Sequence, residues 1–108
     1  MKDCSVEYAL DLLTGKWQMH ILWCLCQAEI IRFNELKRKL PGISNNALAK
    51  SLRELEENNI VLRIQYNEVP PRVEYSLTDL GKSLKPILIL LSKWGTDVIN
   101  SKCRNDIP

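Results

Sequence analysis

In the stretch "NNALAKSLRELEENN", Asn46, Lys50 and Arg53 recur at spacings of four and three residues. On a helix that spacing gathers them on one ridge, with Asn45 and Ser51 at its flanks. An asparagine amide can pair with an adenine edge, and lysine or arginine with guanine or a backbone phosphate. The chemistry on offer is recognition by hydrogen bonds and charge, with no bond made or broken. Leu48, Leu52 and Leu55 lie on the opposite side, which marks the buried face. Glu54, Glu56 and Glu57 follow later, so the first turns carry the polar ridge, as a helix entering a major groove by its N-terminal half requires. A solvated helix face of mixed sign has the same composition, so the neighbouring elements decide between the two.

Other reactive side chains are few. Cys4 stands just before a first helix, where the helix dipole stabilises a thiolate, although Asp3 and Glu7 oppose that effect. Cys103, near the other terminus, is the candidate resolving thiol of a redox switch. The alternative is a Cys4 that packs at an interface beside an incidental Cys103. Cys24 and Cys26 are two apart in a helical pattern and point to different sides, and reduced thiols are the expectation for all four. His20 and Cys24 have a chelating spacing on a helix, but a core histidine and a buried thiol account for them, and no metal is expected. The sequence has one histidine, no glycine-rich phosphate loop and no nucleophile–base pair at a recognisable spacing, so neither an enzyme nor a cofactor is expected.

The elements that must hold the ridge can be read on either side of it. "RFNELKRKL" forms a short helix with Phe33, Leu36 and Leu40 inward and Lys37, Arg38 and Lys39 mostly outward. "PGIS" is a turn, and its Ser44 is an N-cap for the ridge helix. Two helices joined by so tight a turn form a helix-turn-helix, the second being the recognition helix. From Arg32 to Arg53 the cations are Arg32, Lys37, Arg38, Lys39, Lys50 and Arg53, against the single acid Glu35. Lys37, Arg38 and Ser44 therefore join the ridge residues as candidate DNA contacts.

A hairpin follows. Leu62, Ile64 and Tyr66 alternate in one strand, and Val73, Tyr75 and Leu77 in the next, which predicts two apolar faces lying together on the helices. Between them "NEVPPR" cannot pair regularly, because proline has no amide hydrogen to give a ladder. Residues 67–72 become a stiff protruding wing, with Arg72 at its base reaching for a phosphate or the minor groove. The fold class expected is mainly α (α+β), a winged helix-turn-helix with a two-stranded wing. A winged helix used only for protein–protein contact is the rival function, and the cationic ridge argues against it.

Terminal helices complete the chain. Ser5 caps a first helix, about residues 4–14, with Val6, Ala9, Leu10 and Leu13 on one side. A second, "KWQMHILWCLCQ", is apolar almost all round and belongs in the middle. The last spans about residues 78–101, kinked at Pro86, with an apolar seam of Leu80, Leu84, Ile87, Leu91, Trp94 and Val98. That seam exceeds the need of a domain core, so Leu84, Ile87, Leu91, Trp94 and Val98 are assigned to a homodimer interface. Two-fold symmetry then sets two recognition helices about 34 Å apart on a palindromic site. Trp17, Trp23 and Trp94 could line an effector pocket, but nothing in the pattern names an effector.

With 108 residues, 45% hydrophobic, 26% charged and a net charge of +2, the sequence fits one winged-helix domain over 1–108. It lacks an apolar run long enough to span a membrane, and Asp3, Glu7 and Asp11 break any signal-peptide pattern, which places the protein in the cytoplasm.

"CSVEYALDLLTGKWQMHIL", "RFNELKRKLPGIS", "LAKSLRELEENNIV" and "EVPPRVEYSLTDLGKSLKPIL" resemble the HxlR-type family of bacterial transcription regulators, relatives of the MarR group. The resemblance covers roughly residues 4–95 and rests on Cys4, Gly15-Lys16-Trp17, Pro41-Gly42-Ile43-Ser44, the wing, Gly81 and Trp94-Gly95. It implies a dimeric winged-helix DNA-binding protein, typically a repressor, joined through its terminal helices. Some members sense oxidants or electrophiles through an N-terminal cysteine, at the position of Cys4. Asn45-Asn46 departs from the residues often seen after the Ile-Ser of the turn, so no operator sequence is carried over.

Overall fold

The computed structural model describes residues 4–105, with side chains as far as Cys103. Two helices come first, α1 (Ser5–Leu13) and α2 (Gln18–Ala28). Strand β1 (Ile30–Arg32) leads into α3 (Phe33–Lys39) and α4 (Asn45–Glu57). The hairpin of β2 (Val61–Tyr66) and β3 (Arg72–Leu77) precedes a short α5 (Asp79–Lys82) and a long α6 (Lys85–Asn105). No helix among the described residues is long and apolar enough to cross a membrane.

Packing starts from α2. Ile21, Leu22 and Leu25 are buried, and Leu36, Leu48, Leu52 and Leu55 of α3 and α4 close around them. Gly42 lets α3 turn into α4: its φ of +91° is open to glycine at no steric cost. Gly81 meets a different demand. A Cβ there would sit 2.3 Å from the Ile60 carbonyl oxygen, so only a bare backbone lets α5 close on the start of β2. Thr78 fixes the same corner, its hydroxyl donating to Asn59 O at 2.7 Å and accepting from Gly81 N at 3.0 Å.

Several sequence expectations change. Cys4, not Ser5, occupies the N-cap position of α1, and its side chain makes no capping bond. The wing hairpin has a third neighbour, because β1 pairs antiparallel with β3 to give the order β1-β3-β2. Three residues are too few for a readable alternation, so β1 was invisible in the pattern.

The hairpin register also differs. Leu62 pairs with Ser76, Ile64 with Glu74 and Tyr66 with Arg72, while Val61 pairs with Leu77 and Arg63 with Tyr75. Directly paired residues share a face. The apolar set of β3 therefore packs on the helices, but Leu62 and Ile64 look outward and are 45% and 40% exposed.

The last helix is also two. Leu84 N donates to Gly81 O, a tight turn that ends α5, and Pro86 has no amide hydrogen to give Lys82. The helix restarts at Lys85, and Pro86 falls in its first turn, where a missing donor costs little. It does not kink a continuous helix.

Candidate nucleic-acid interface

The helix-turn-helix is built locally. Ser44 Oγ accepts from Ala47 N at 3.1 Å, which fixes where α4 begins. Burial of Leu48, Leu52 and Leu55 sets its rotation. Asn45, Asn46, Lys50 and Arg53 are then all exposed, as are Ser44 and Arg38, with Lys37 half-buried. Among the described residues, Lys37, Arg38, Lys50 and Arg53 make no ion pair. Their charges remain available to a partner.

Ser51 behaves differently from its neighbours. It is 8% exposed, on the flank of α4 that faces the start of α2, so it is not displayed with the ridge. A helical wheel places it at the ridge edge; only the position of α2 decides that the edge is covered. A second residue that sequence reasoning missed belongs there. Gln18, 6% exposed, donates from Nε2 to Glu54 Oε2 at 2.8 Å. This bond ties α2 to the ridge helix and engages the nearest acid. Its signal was a polar side chain in the otherwise apolar face of α2.

The wing carries Arg72, but not as a free cation. Its guanidinium lies 4.2 Å over the Tyr66 ring and pairs with Glu68 at 3.3 Å and Glu74 at 3.4 Å. Its Nε is buried without a hydrogen bond among the described residues. The arrangement straps the wing loop, residues 67–71, to its base strands. Arg63 is the better placed cation: exposed, bonded only to Gln65 at 3.3 Å, on the sheet face shared with Tyr75 and on the strand that packs against α4. The register had to be known to find it.

Of the expected dimer residues, Ile87, Leu91, Trp94 and Val98 lie along α6, and Leu84 sits in the turn before it, packed against the core. Ile87, Leu91 and Trp94 are 57%, 47% and 65% exposed, with Leu84 and Val98 half-buried. Leu88 turns into the core, at 4%. Helix α1 has no buried residue and exposes Val6, Tyr8 and Leu10.

Cys4 and Cys103 are both exposed and free, and Cys103 sits in the last turns of α6. Asp3 lies outside the described residues. Burial is the main effect that pushes the Cys24 and Cys26 thiols up, only partly offset by Lys39 and Lys85 respectively. Both therefore stay protonated and unreactive. His20 is exposed, not in the core, with its ring 5.8 Å from that of Trp17. Among the described residues no three potential metal ligands cluster. The three tryptophans do not share a cavity: Trp17 lines a cleft beside α4, Trp23 is half-buried and Trp94 is exposed.

Comparison with known proteins bears on this geometry. A model of the HxlR-like helix-turn-helix matches residues 12–103. MalR of Fusobacterium mortiferum, provisionally named a regulatory protein, is 49% identical over 94 residues, covering 87% of this chain and 89% of its own. The solved redox regulator HypR in its oxidised form is 42% identical, with a TM-score of 0.80 over 87% of this chain and 96% of its own. The reduced form of the transcriptional regulator YodB from Bacillus subtilis is 35% identical, with a TM-score of 0.75 over 87% and 91%.

Proposed function

The chain belongs to the HxlR-like helix-turn-helix family and is a transcriptional regulator rather than an enzyme, and from that premise we propose a DNA-binding repressor that works as a cytoplasmic homodimer. The observation that carries this reading is the α4 ridge, where Asn46, Lys50 and Arg53 are exposed together and the two cations have no ion-pair partner among the described residues. The apolar faces of α1 and α6 meet their counterparts in a second chain, and the paired recognition helices span a palindromic operator. HypR has been solved in oxidised and reduced forms, and YodB in reduced and diamide-treated forms, which supports a thiol switch here. Cys4 and Cys103 are the exposed thiols available for it. Diamide would take two electrons and two protons from them, becoming a hydrazine, as a disulfide forms between Cys4 and a Cys103 of either chain.

The test is a fluorescence-anisotropy titration on DNA from upstream of the gene, against shuffled DNA, with reductant and with diamide. Tight binding to the upstream fragment, released by diamide in the wild type and retained in Cys4→Ser, is the expected result. A Cys4→Ser protein that still responds removes Cys4 as sensor and leaves the regulator. Weak, equal affinity for both fragments turns the reading toward a protein-docking module. The outward Leu62 and Ile64 of the sheet are the observation that favours that rival.

A further inference from the structure

A cleft of about 390 Å³ separates the turn that opens α2 from the flank of α4. Lys16 and Gln18 form one wall, and Ser44, Lys50, Ser51 and Glu54 the other. Two cations enter it from separate elements, and neither is in an ion pair among the described residues. Lys16 Nζ lies 5.7 Å from the centre of the Trp17 ring, a contact that orients the ammonium without neutralising it. The acid in the lining, Glu54, is already bonded to Gln18 at 2.8 Å. The cleft is therefore net positive.

Two further features are independent of those charges. Ser51 is more than nine-tenths buried and lines the cleft, and its hydroxyl makes no hydrogen bond among the described residues but reaches the solvent of the cleft. A hydroxyl that meets the cleft without a partner in its own chain is free to donate to an acceptor from outside it. The start of α4 borders the cleft through Ser44 and Ala47, with Asn45 and Asn46 beyond its lining. Ser44 Oγ takes only the Ala47 amide, so the amides of Asn45 and Asn46 have no intrahelical acceptor and present the positive end of the helix.

We propose that this cleft seats one backbone phosphate of bound DNA. Lys16 and Lys50 approach the phosphate from its two sides, and the Ser51 hydroxyl donates to a non-bridging oxygen. The phosphate sits beside the ridge, so it fixes the register of α4 in the groove without itself reading sequence. Gln18 is a positioning residue in this scheme, because its amide engages the Glu54 carboxylate that shares the lining. The proposal rests on the DNA-binding reading given above.

The experiment is the salt dependence of affinity for one duplex, compared among the wild type, Lys16→Ala, Lys16→Arg, Ser51→Ala and Lys102→Ala. Removing one phosphate contact lowers the slope of log K against log salt by about 0.9. Lys16→Ala should show that drop and weaken binding to upstream and shuffled DNA alike. Lys16→Arg and Lys102→Ala should keep the wild-type slope. Ser51→Ala should bind several-fold more weakly at an unchanged slope, because a hydroxyl displaces no counterion. Lys16 is exposed, so its loss leaves folding intact. A Lys16→Ala slope equal to that of the wild type overturns the phosphate seat while DNA binding stands. A wild type without affinity for any duplex overturns both.

Discussion

Helices α4 and α6 carry the same apolar rhythm to opposite ends. In α4, Leu48, Leu52 and Leu55 are at most 1% exposed, and the polar ridge behind them faces solvent. In α6, Ile87, Leu91 and Trp94 repeat at like spacing yet are roughly half exposed or more, and Leu88 alone of that stretch reaches the core. Periodicity reports that a face is to be buried but says nothing about what buries it. Helix α4 is covered by its own chain. Helix α6 has 21 residues, about 31 Å of rod, and packs on α2 near its N-terminal end, within a molecule 61 Å in its longest dimension. The rest of its stripe is left uncovered by its own chain, and it is the face that the proposed homodimer would bury.

Breaking the two stripes should therefore give two phenotypes. Leu91→Glu or Trp94→Glu places a charge in the proposed contact between copies, and sedimentation should show a monomer. Affinity for a two-half-site operator should fall by about 10²–10⁴-fold, since the second half-site loses its tether. The unfolding midpoint of the monomer should no longer depend on concentration. Leu52→Ala should act the other way round. It costs about 2–5 kcal/mol in urea unfolding, as a large-to-small core change does, and leaves the oligomeric state of the folded fraction unchanged. An unchanged dimer in Leu91→Glu would mean that α6 is covered by something else.

The exposed side of α4 gives the next effect in size. Arg53→Ala and Lys50→Ala should each weaken operator binding by about 1–3 kcal/mol, and Arg53→Ala should relax preference at one base position. Lys102→Ala on α6 serves as the control, with no change expected. Equal losses from all three would put the ridge in the wrong place.

The helix-turn-helix was legible because each of its signals is local. Ser44 caps, Gly42 turns, and the leucines fix a rotation that three or four residues determine. What stayed hidden depended on pairs of distant elements. Leu62 and Ile64 alternate as a buried strand should, but which face they join depends on a register set with β3. Ser51 belongs to the ridge on a wheel and leaves it because α2 covers that flank. Gln18 was a polar residue in a mostly apolar helix until Glu54, 36 positions away, supplied its partner. Pro86 was misplaced for the opposite reason. The apolar spacing on both sides of it is continuous, and that continuity concealed a turn the backbone could not avoid.

The wing applies the same lesson to charge. Arg72 stands in the sequence where a phosphate contact is wanted, yet its guanidinium is held by Glu68, Glu74 and the Tyr66 ring. Arg63 is in no ion pair among the described residues and lies on the sheet face shared with Tyr75, on the strand that packs against α4. The salt slope separates the two. Arg63→Ala should lower it by about 0.9, the signature of one lost phosphate contact. Arg72→Ala should leave it nearly unchanged and instead loosen the hairpin, lowering stability by up to about 1 kcal/mol, as partly exposed ion pairs do. Its affinity for all sequences should weaken through a less ordered wing, and Arg72→Lys should recover little, because lysine cannot reproduce the stacked fork that spans two carboxylates. A slope that falls for Arg72→Ala and not for Arg63→Ala would mean that Arg72 leaves its carboxylates when DNA arrives, and that the strap is a resting position of the wing.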